Sequence, residues 1–419
     1  MRVQSGGDHS RLGALLVVAG VLLVGLSFGA GWALAPNTDK ASSATDNPLL
    51  VGVQGPGWGG NVTMLGSNGS RRWSVGDAIS YQDVSMLDNG TVLATFAEGP
   101  YRQCGQFDSP CKRTGVRFID TQSPANVTGQ WSYPVRTRKD SEVHDAEMLP
   151  SGELLVADME YESIYTYDFS TGTKTWVWNA SQYYDAPPDP TKTDWLHIND
   201  VDRIGEDRYL VSVRNTNQLV VVERGKGVVE VVNEDRDPSL LDKQHNPHWL
   251  GNGAVLVADS ENHRVVELHR NESTGEWEES WVVYEIDDIP LDWPRDADRL
   301  PNGNTLVTDS RNNRVAEITR NGSVVASYRV EDLPYEADRL PYGESAGQPY
   351  GSDGSRDVLG QRNVDVPVLS TLLSAAHHVT PVPFWVSELH VLAVLLAAGL
   401  WIVGGALLAS GWLSSRHDS

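Results

Sequence analysis

Gln82, His144, Asn199, His245 and Arg295 differ in chemistry, yet each opens a copy of one sequence phrase. The copies read QDVSMLDNGTVLATF, HDAEMLPSGELLVAD, NDVDRIGEDRYLVSV, HNPHWLGNGAVLVAD and RDADRLPNGNTLVTD. Everything after the first residue reads as repeated scaffold, so the changing first residue is where function is expected. Two residues extend the pattern: His197, just ahead of Asn199, and Arg214, which opens the loop RNTNQ where neighbouring copies carry Met159 and Ser260. Neutral imidazoles beside guanidinium and carboxamide donors, with no carboxylate cluster evident among them, suit transfer of a compact oxyanionic group. One imidazole attacks, the cations and amides hold the oxygens, and a second imidazole moves a proton. A trihistidine zinc site that activates water is the competing arrangement. Two arginines nearby raise its electrostatic cost, so neither a metal nor another cofactor is expected. Gln82 and Arg295 enter on register alone, since a polar residue at a strand start also serves to cap the backbone.

The elements that must position these residues are strands. Alternating apolar and polar runs separated by Gly, Asn, Asp or Ser fill each copy, as in GAVLVADS, HRVVELHR and EWEESWVVYEI. This is the pattern of antiparallel strands and tight turns. Successive origins lie roughly 45 to 60 residues apart, close to the length of one four-stranded propeller blade with loop insertions. LLVGVQ, NVTMLGS and RRWSVGD supply three strands before the first copy, and Glu336-Ala-Asp-Arg-Leu-Pro repeats the phrase once more with Tyr335 at its origin. If that last segment is the innermost strand of the blade begun near residue 49, six blades close the ring and remove its edges. The expected class is all-β, a six-bladed β-propeller flanked by N- and C-terminal transmembrane helices.

Leu12 to Ala35 and Val391 to Trp412 carry no charge and are each long enough to cross about 30 Å of hydrocarbon. Arg2 and Arg11 precede the first run, Arg416 follows the second, and Lys40 is the near cation on the intervening side. The positive-inside rule then places both termini in the cytoplasm and the propeller outside the cell membrane. Pro36 after Ala33-Leu34-Ala35 argues for an uncleaved anchor rather than a signal peptide. The chain divides into a cytoplasmic tip and anchor (1–40), a propeller (41–354), a membrane-proximal linker (355–390), a second transmembrane helix (391–412) and a cytoplasmic tail (413–419). Asn-x-Ser/Thr sequons begin at Asn61, Asn68, Asn89, Asn126, Asn179, Asn271 and Asn321, all between the anchors, and are candidate glycan sites. Cys104 and Cys111, the two cysteines, read as a local disulfide. With 56 acidic against 33 basic residues the net charge is −23, which excludes a nucleic-acid partner and suits halophilic surroundings, where hydrated carboxylates keep a protein soluble.

His144-Asp145 before LPSG, Trp195-Leu-His197-Ile-Asn199, Ser212-Val-Arg214-Asn215 and Gln244-His245-Asn246 resemble the arylsulfate sulfotransferases. These six-bladed propellers move sulfuryl groups between phenols without a nucleotide sulfate donor. The resemblance covers roughly residues 81 to 330. It implies that His245 is the nucleophile that becomes sulfohistidine, that His197, Asn199 and Arg214 hold the sulfuryl oxygens, and that His144 is a further polar contact. The implied partners are a small-molecule aryl sulfate donor and a hydroxyl acceptor. His248 competes as nucleophile, but it occupies a position filled by Glu147, Asp202 and Asp298 in other copies, and strand alternation assigns it to the opposite face. Two other functions remain open: a noncatalytic propeller that binds surface glycans or a protein partner, and a metal-dependent ester or lactone hydrolase.

Overall fold

The computed structural model describes residues 5–35, 47–55, 59–122, 124–137, 141–251, 253–350, 356–361, 366–380 and 382–417. Arg2, Pro36 and Lys40 fall outside them. The chain divides into two compact units, residues 38–363 and a helical unit made of residues 1–37 with 364–419.

The first unit is a six-bladed β-propeller. Five blades start with their inner strands, Ser80–Met86, Val143–Met148, Ile198–Gly205, His245–Gly251 and Pro294–Arg299, which are the repeated phrases. The remaining blade closes the ring as expected. Its inner strand is Pro334–Arg339, paired antiparallel with Leu49–Val53, and Asn61–Leu65 and Arg71–Val75 lie outside these. Gly52 sits in this closure, where a Cβ would collide with the Gln82 carbonyl oxygen.

Burial explains the strand patterns. Second strands such as Leu154–Asp158, Ala254–Asp259 and Thr305–Asp309 are buried throughout because both their faces meet neighbouring sheets. Outer strands such as Thr173–Asn179 are mostly exposed. The core is not central but lies between blades. Val211 packs with Leu155 and Ile164 of the preceding blade, while its neighbour Leu210 packs with Val255 and Val257 of the following one. The same division recurs at every interface, for example Leu93 with Val156 and Leu49 with Val315. Burying one such aliphatic side chain stabilises by about 1.5–3 kcal/mol, so cohesion comes from apolar contacts repeated around the ring.

Each inner strand also carries a register shift near its start, for example between His245 and His248, Ile198 and Asp200, Val143 and Ala146, and Pro294 and Asp296. Such bulges break alternation and re-aim side chains. Asp357–Leu359, within the segment expected as linker, adds a fifth strand parallel to Trp277–Val283.

The helical unit contains α1 (Ser5–Leu34), α2 (Pro367–Val379) and α3 (Glu388–His417). The apolar spans within α1 and α3 cover 27 and 26 residues, enough to cross a bilayer. They pack antiparallel: Gly13 lies against Gly404 and Gly20 against Trp401, and Trp401 Nε1 donates to the Val17 carbonyl at 3.1 Å. Small residues allow the backbones this close approach. Ser5 and His417 therefore lie at the same end of the α1–α3 pair. α2, at 13 residues, is too short to span.

Candidate functional site

The three expected histidines meet at one mouth of the channel. The rings of His144 and His197 lie 5.6 Å apart, and Tyr335 lies 5.3 Å from His144 and 5.9 Å from His245. All three histidines are buried, with at most 8 % exposure.

Hydrogen bonding fixes their tautomers. Ser260 Oγ donates to the Pro294 carbonyl at 2.6 Å, and a carbonyl can only accept. Ser260 must therefore accept from His245 Nδ1, 2.8 Å away. His245 Nε2 keeps its lone pair. His197 Nδ1 donates to Asp194 at 2.8 Å, which likewise leaves its Nε2 free to accept. His144 differs, since both nitrogens are engaged: Nε2 donates to Glu142 at 3.0 Å and Nδ1 accepts from the Tyr335 hydroxyl at 3.0 Å.

Electrostatics keeps His245 and His197 neutral. Burial, reinforced by Arg295 and Arg214, holds His245 well below the usual imidazole range. His197 is pushed down to about 4 by burial and Arg214, against the opposing pull of Asp194. Burial brings Arg295 down to about 10, so it stays cationic at neutral pH. Its guanidinium stacks 3.8 Å from the Trp293 ring and 4.6 Å from Tyr335, while Nη1 donates to Gln54 at 2.5 Å and Nε lacks a partner. A buried cation with an idle donor beside two neutral imidazoles is a site for an anion.

The other expected residues stand nearby with narrower roles. Arg214 donates from its backbone to the His197 carbonyl at 3.3 Å, and its Nη1 donates to Asn215 at 2.9 Å. Asn199 Nδ2 donates to the Gln244 carbonyl at 2.9 Å, steadying the backbone just before His245. Gln82 Nε2 donates to Ser80 at 3.0 Å and reaches His144 only through Ser80 and Glu142. Cys104 and Cys111 are joined by a disulfide in the blade whose inner strand is Ser80–Met86, away from the contacts described above.

Several contributors escaped the sequence reading although its registers contained them. Glu142 and Trp293 each stand two residues before an origin, as His197 does. In His197 and Trp293 that position has left-handed backbone, with φ of 56° for both, and so has Lys243 at 48°. The turn recurs at Leu333 but not at Ser80 or Glu142, so it belongs to four of the six copies. Glu162 holds the His197 turn by accepting from the N–H groups of Leu196, His197 and Ile198 at 2.8–3.0 Å. Ser260 occupies the register of Arg214, and Tyr335 is the sixth origin.

One expectation is overturned. The residues after the origins are not mere scaffold, and a carboxylate cluster does adjoin the ring. Asp83, Asp145, Asp200, Asp296 and Glu336 line a channel cavity with Asn246; Glu147, Asp202, Asp298 and His248 line it as well. His248 therefore faces the channel rather than the opposite side, because the bulge at Asn246 and Pro247 resets the alternation after His245. Burial first, and mutual repulsion next, lift Asp83, Asp145, Asp200 and Glu336 well above the usual carboxylate range.

No family model and no curated protein matches this chain. Among solved structures, a protein of unknown function from Bacteroides caccae is similar at 16 % identity and TM-score 0.51, covering 70 % of this chain and 98 % of that one. The periplasmic gluconolactonase of Pseudomonas aeruginosa aligns at 13 % identity and TM-score 0.42, covering 70 % and 98 %. Virginiamycin B lyase of Staphylococcus aureus aligns at 13 % identity and TM-score 0.38, covering 60 % and 70 %. At 16 % identity the likeness to the Bacteroides caccae protein bears on the fold alone.

Proposed function

We propose that this protein moves a sulfuryl group from a phenolic sulfate to an acceptor hydroxyl through a sulfohistidine on His245, without a nucleotide donor. The observation that carries the reading is the Ser260–His245 bond, which leaves a neutral Nε2 lone pair on a buried imidazole that feels the charges of Arg295 and Arg214. His245 Nε2 attacks sulfur, the S–O(aryl) bond breaks, and its electron pair leaves with the phenolate. A phenol of pKa about 10 leaves with little protonation help. In the second half the acceptor oxygen attacks sulfur, its proton passes to His197 Nε2, and the N–S electron pair returns to His245. The transition state is loose, as in phosphoryl transfer, so positioned cations supply most of the catalysis.

His144 is a positioning residue in this scheme. With both nitrogens engaged it has no lone pair for a metal, which weighs against a trihistidine zinc hydrolase. The antiparallel apolar helices support a membrane anchor. Arg11 and the surface positions of the sequons, among them exposed Asn68, Asn89, Asn126, Asn179 and Asn321, support cytoplasmic termini and an outside propeller open to glycans.

Incubation of the full chain with p-nitrophenyl sulfate and a phenol acceptor tests the reading. Phenol release that accelerates with acceptor, and vanishes in His245→Ala, is the expected result. Release that ignores the acceptor and survives in His245→Ala indicates hydrolysis by another route and sinks the proposal.

A further inference from the structure

The carboxylates that directly follow an origin have a structural task, and among them Asp200 is the exception. Asp83, Asp145, Asp296 and Glu336 each accept a hydrogen bond from a backbone N–H of the next blade: Ala146 at 3.3 Å, Val201 at 2.6 Å, Ala337 at 3.0 Å and Val84 at 3.4 Å. The donor always stands two residues after an origin. For Asp200 that residue is Pro247, which has no N–H. Asp200 Oδ1 is buried and has no hydrogen-bond partner, although Asp200 is only 4 % exposed.

Other lone pairs are idle beside it. Asn246 Oδ1 has no partner, because Asn246 engages Glu336 through Nδ2 at 3.2 Å. His248 is 6 % exposed; its Nδ1 lies 3.0 Å from Asp298, and its Nε2 is unpartnered. Asp200, Asn246 and His248 all line one cavity of about 40 Å³. That exceeds the 10–15 Å³ a single water needs, and so admits a cation with a water. No lysine or arginine is among the lining residues. Acceptors crowded without a donor must recruit either protons or a cation.

We propose that the channel holds one calcium ion beneath the histidine ring, with Asp200 and Asn246 among its ligands. Oxygen donors of mixed carboxylate and carboxamide type favour a hard cation, and the irregular set suits calcium better than octahedral magnesium. His248, Asp298 and half-exposed Glu344 line the same cavity, with ligand atoms within 4.8 Å of one another. The site is independent of the sulfuryl reading, because none of its ligands takes part in transfer.

The test uses the detergent-solubilised full chain, stripped with chelator and returned to calcium-free buffer at pH 7.5 in molar KCl, which screens surface acids. Calcium titration by calorimetry, with metal analysis after desalting, should show one ion per chain. Asp200→Asn should weaken binding by at least about tenfold, the scale on which even supporting groups count at metal sites. Pro247→Ala, which restores the missing N–H without touching a ligand, should weaken it too. Asp200→Asn without calcium should melt at a higher temperature than stripped wild type, since one repelling charge is gone; this readout separates lost binding from lost folding. Absence of stoichiometric calcium, or binding that both variants leave unchanged, overturns the proposal and leaves protons as the neutralising species.

Discussion

Ser260 Oγ lies 2.8 Å from His245 Nδ1 while donating its own proton to the Pro294 carbonyl. Ser260 and His245 share a blade, the bond to Pro294 ties that blade to the next, and together they determine which nitrogen of His245 is nucleophilic. Ser260→Ala leaves the Nδ1–H without an acceptor, at a cost of about 1–3 kcal/mol. Transfer should lose roughly 10- to 100-fold in kcat with KM nearly constant. Ser260→Thr, which keeps the hydroxyl, should recover most of it. Steady-state kinetics of the two variants decide the point, and an Ala variant as fast as wild type would remove Ser260 from the account.

Arg295 is fixed between Trp293 and Tyr335 with one idle donor. Replacing it with Gln removes a cation aimed at the transferred group, and kcat/KM should fall by about 100-fold. Arg295→Lys should rescue little, because a lysine ammonium cannot reproduce the planar stack and fork. Equal losses for donors of very different leaving ability would place the effect on the sulfuryl group; a loss confined to bulky donors would assign Arg295 to the aryl portion instead.

Activity should persist in acid. His245 is held well below the ordinary imidazole value and His197 at about 4, so their lone pairs remain available below pH 6.5. The acid limb of kcat/KM should fall well below pH 6.5, measured against a buffer series checked for folding by circular dichroism. A limb centred at 6.5 would mean that an exposed, ordinary imidazole does the chemistry.

Stability should run the other way. Glu162 is raised to about 7 by burial, and the channel carboxyls are raised as well. The native state then binds more protons than the unfolded state, whose carboxyls titrate near pH 4, so stability falls as pH rises through the folded values. The depressed histidines oppose this only below about pH 6.5, where the unfolded imidazoles charge. Between pH 6.5 and 8, in chelator, the melting temperature should therefore drop. A rise over that window would show that the buried carboxyls are already ionised and compensated.

The fold was legible because its repeat is written in the sequence. Each origin phrase became an inner strand, and Tyr335 to Arg339 closed the ring with Leu49–Val53. The channel lining was not legible, because alternation was carried through a bulge that sequence does not announce. Asn246 and Pro247 together oppose one residue of the next strand, so His248 and the aspartates turned inward. Glu142 and Trp293 were hidden differently. Their register was recognised at His197 but not followed into other copies, and a glutamate or tryptophan at a turn carries no chemical signal until its partner is in place. Ser260 was visible as a departure from Arg214, but its value lies in the Pro294 carbonyl across the blade boundary, a contact local sequence cannot show.

The central claim is a covalent intermediate on one named nitrogen. Brief exposure of the full chain to an aryl sulfate, without acceptor, followed by alkaline digestion and mass spectrometry, should find one acid-labile sulfuryl adduct on the peptide containing His245. That adduct should disappear on adding a phenol acceptor. Phenol release with no adduct at His245, or an adduct on His248 or His197 instead, would contradict the account.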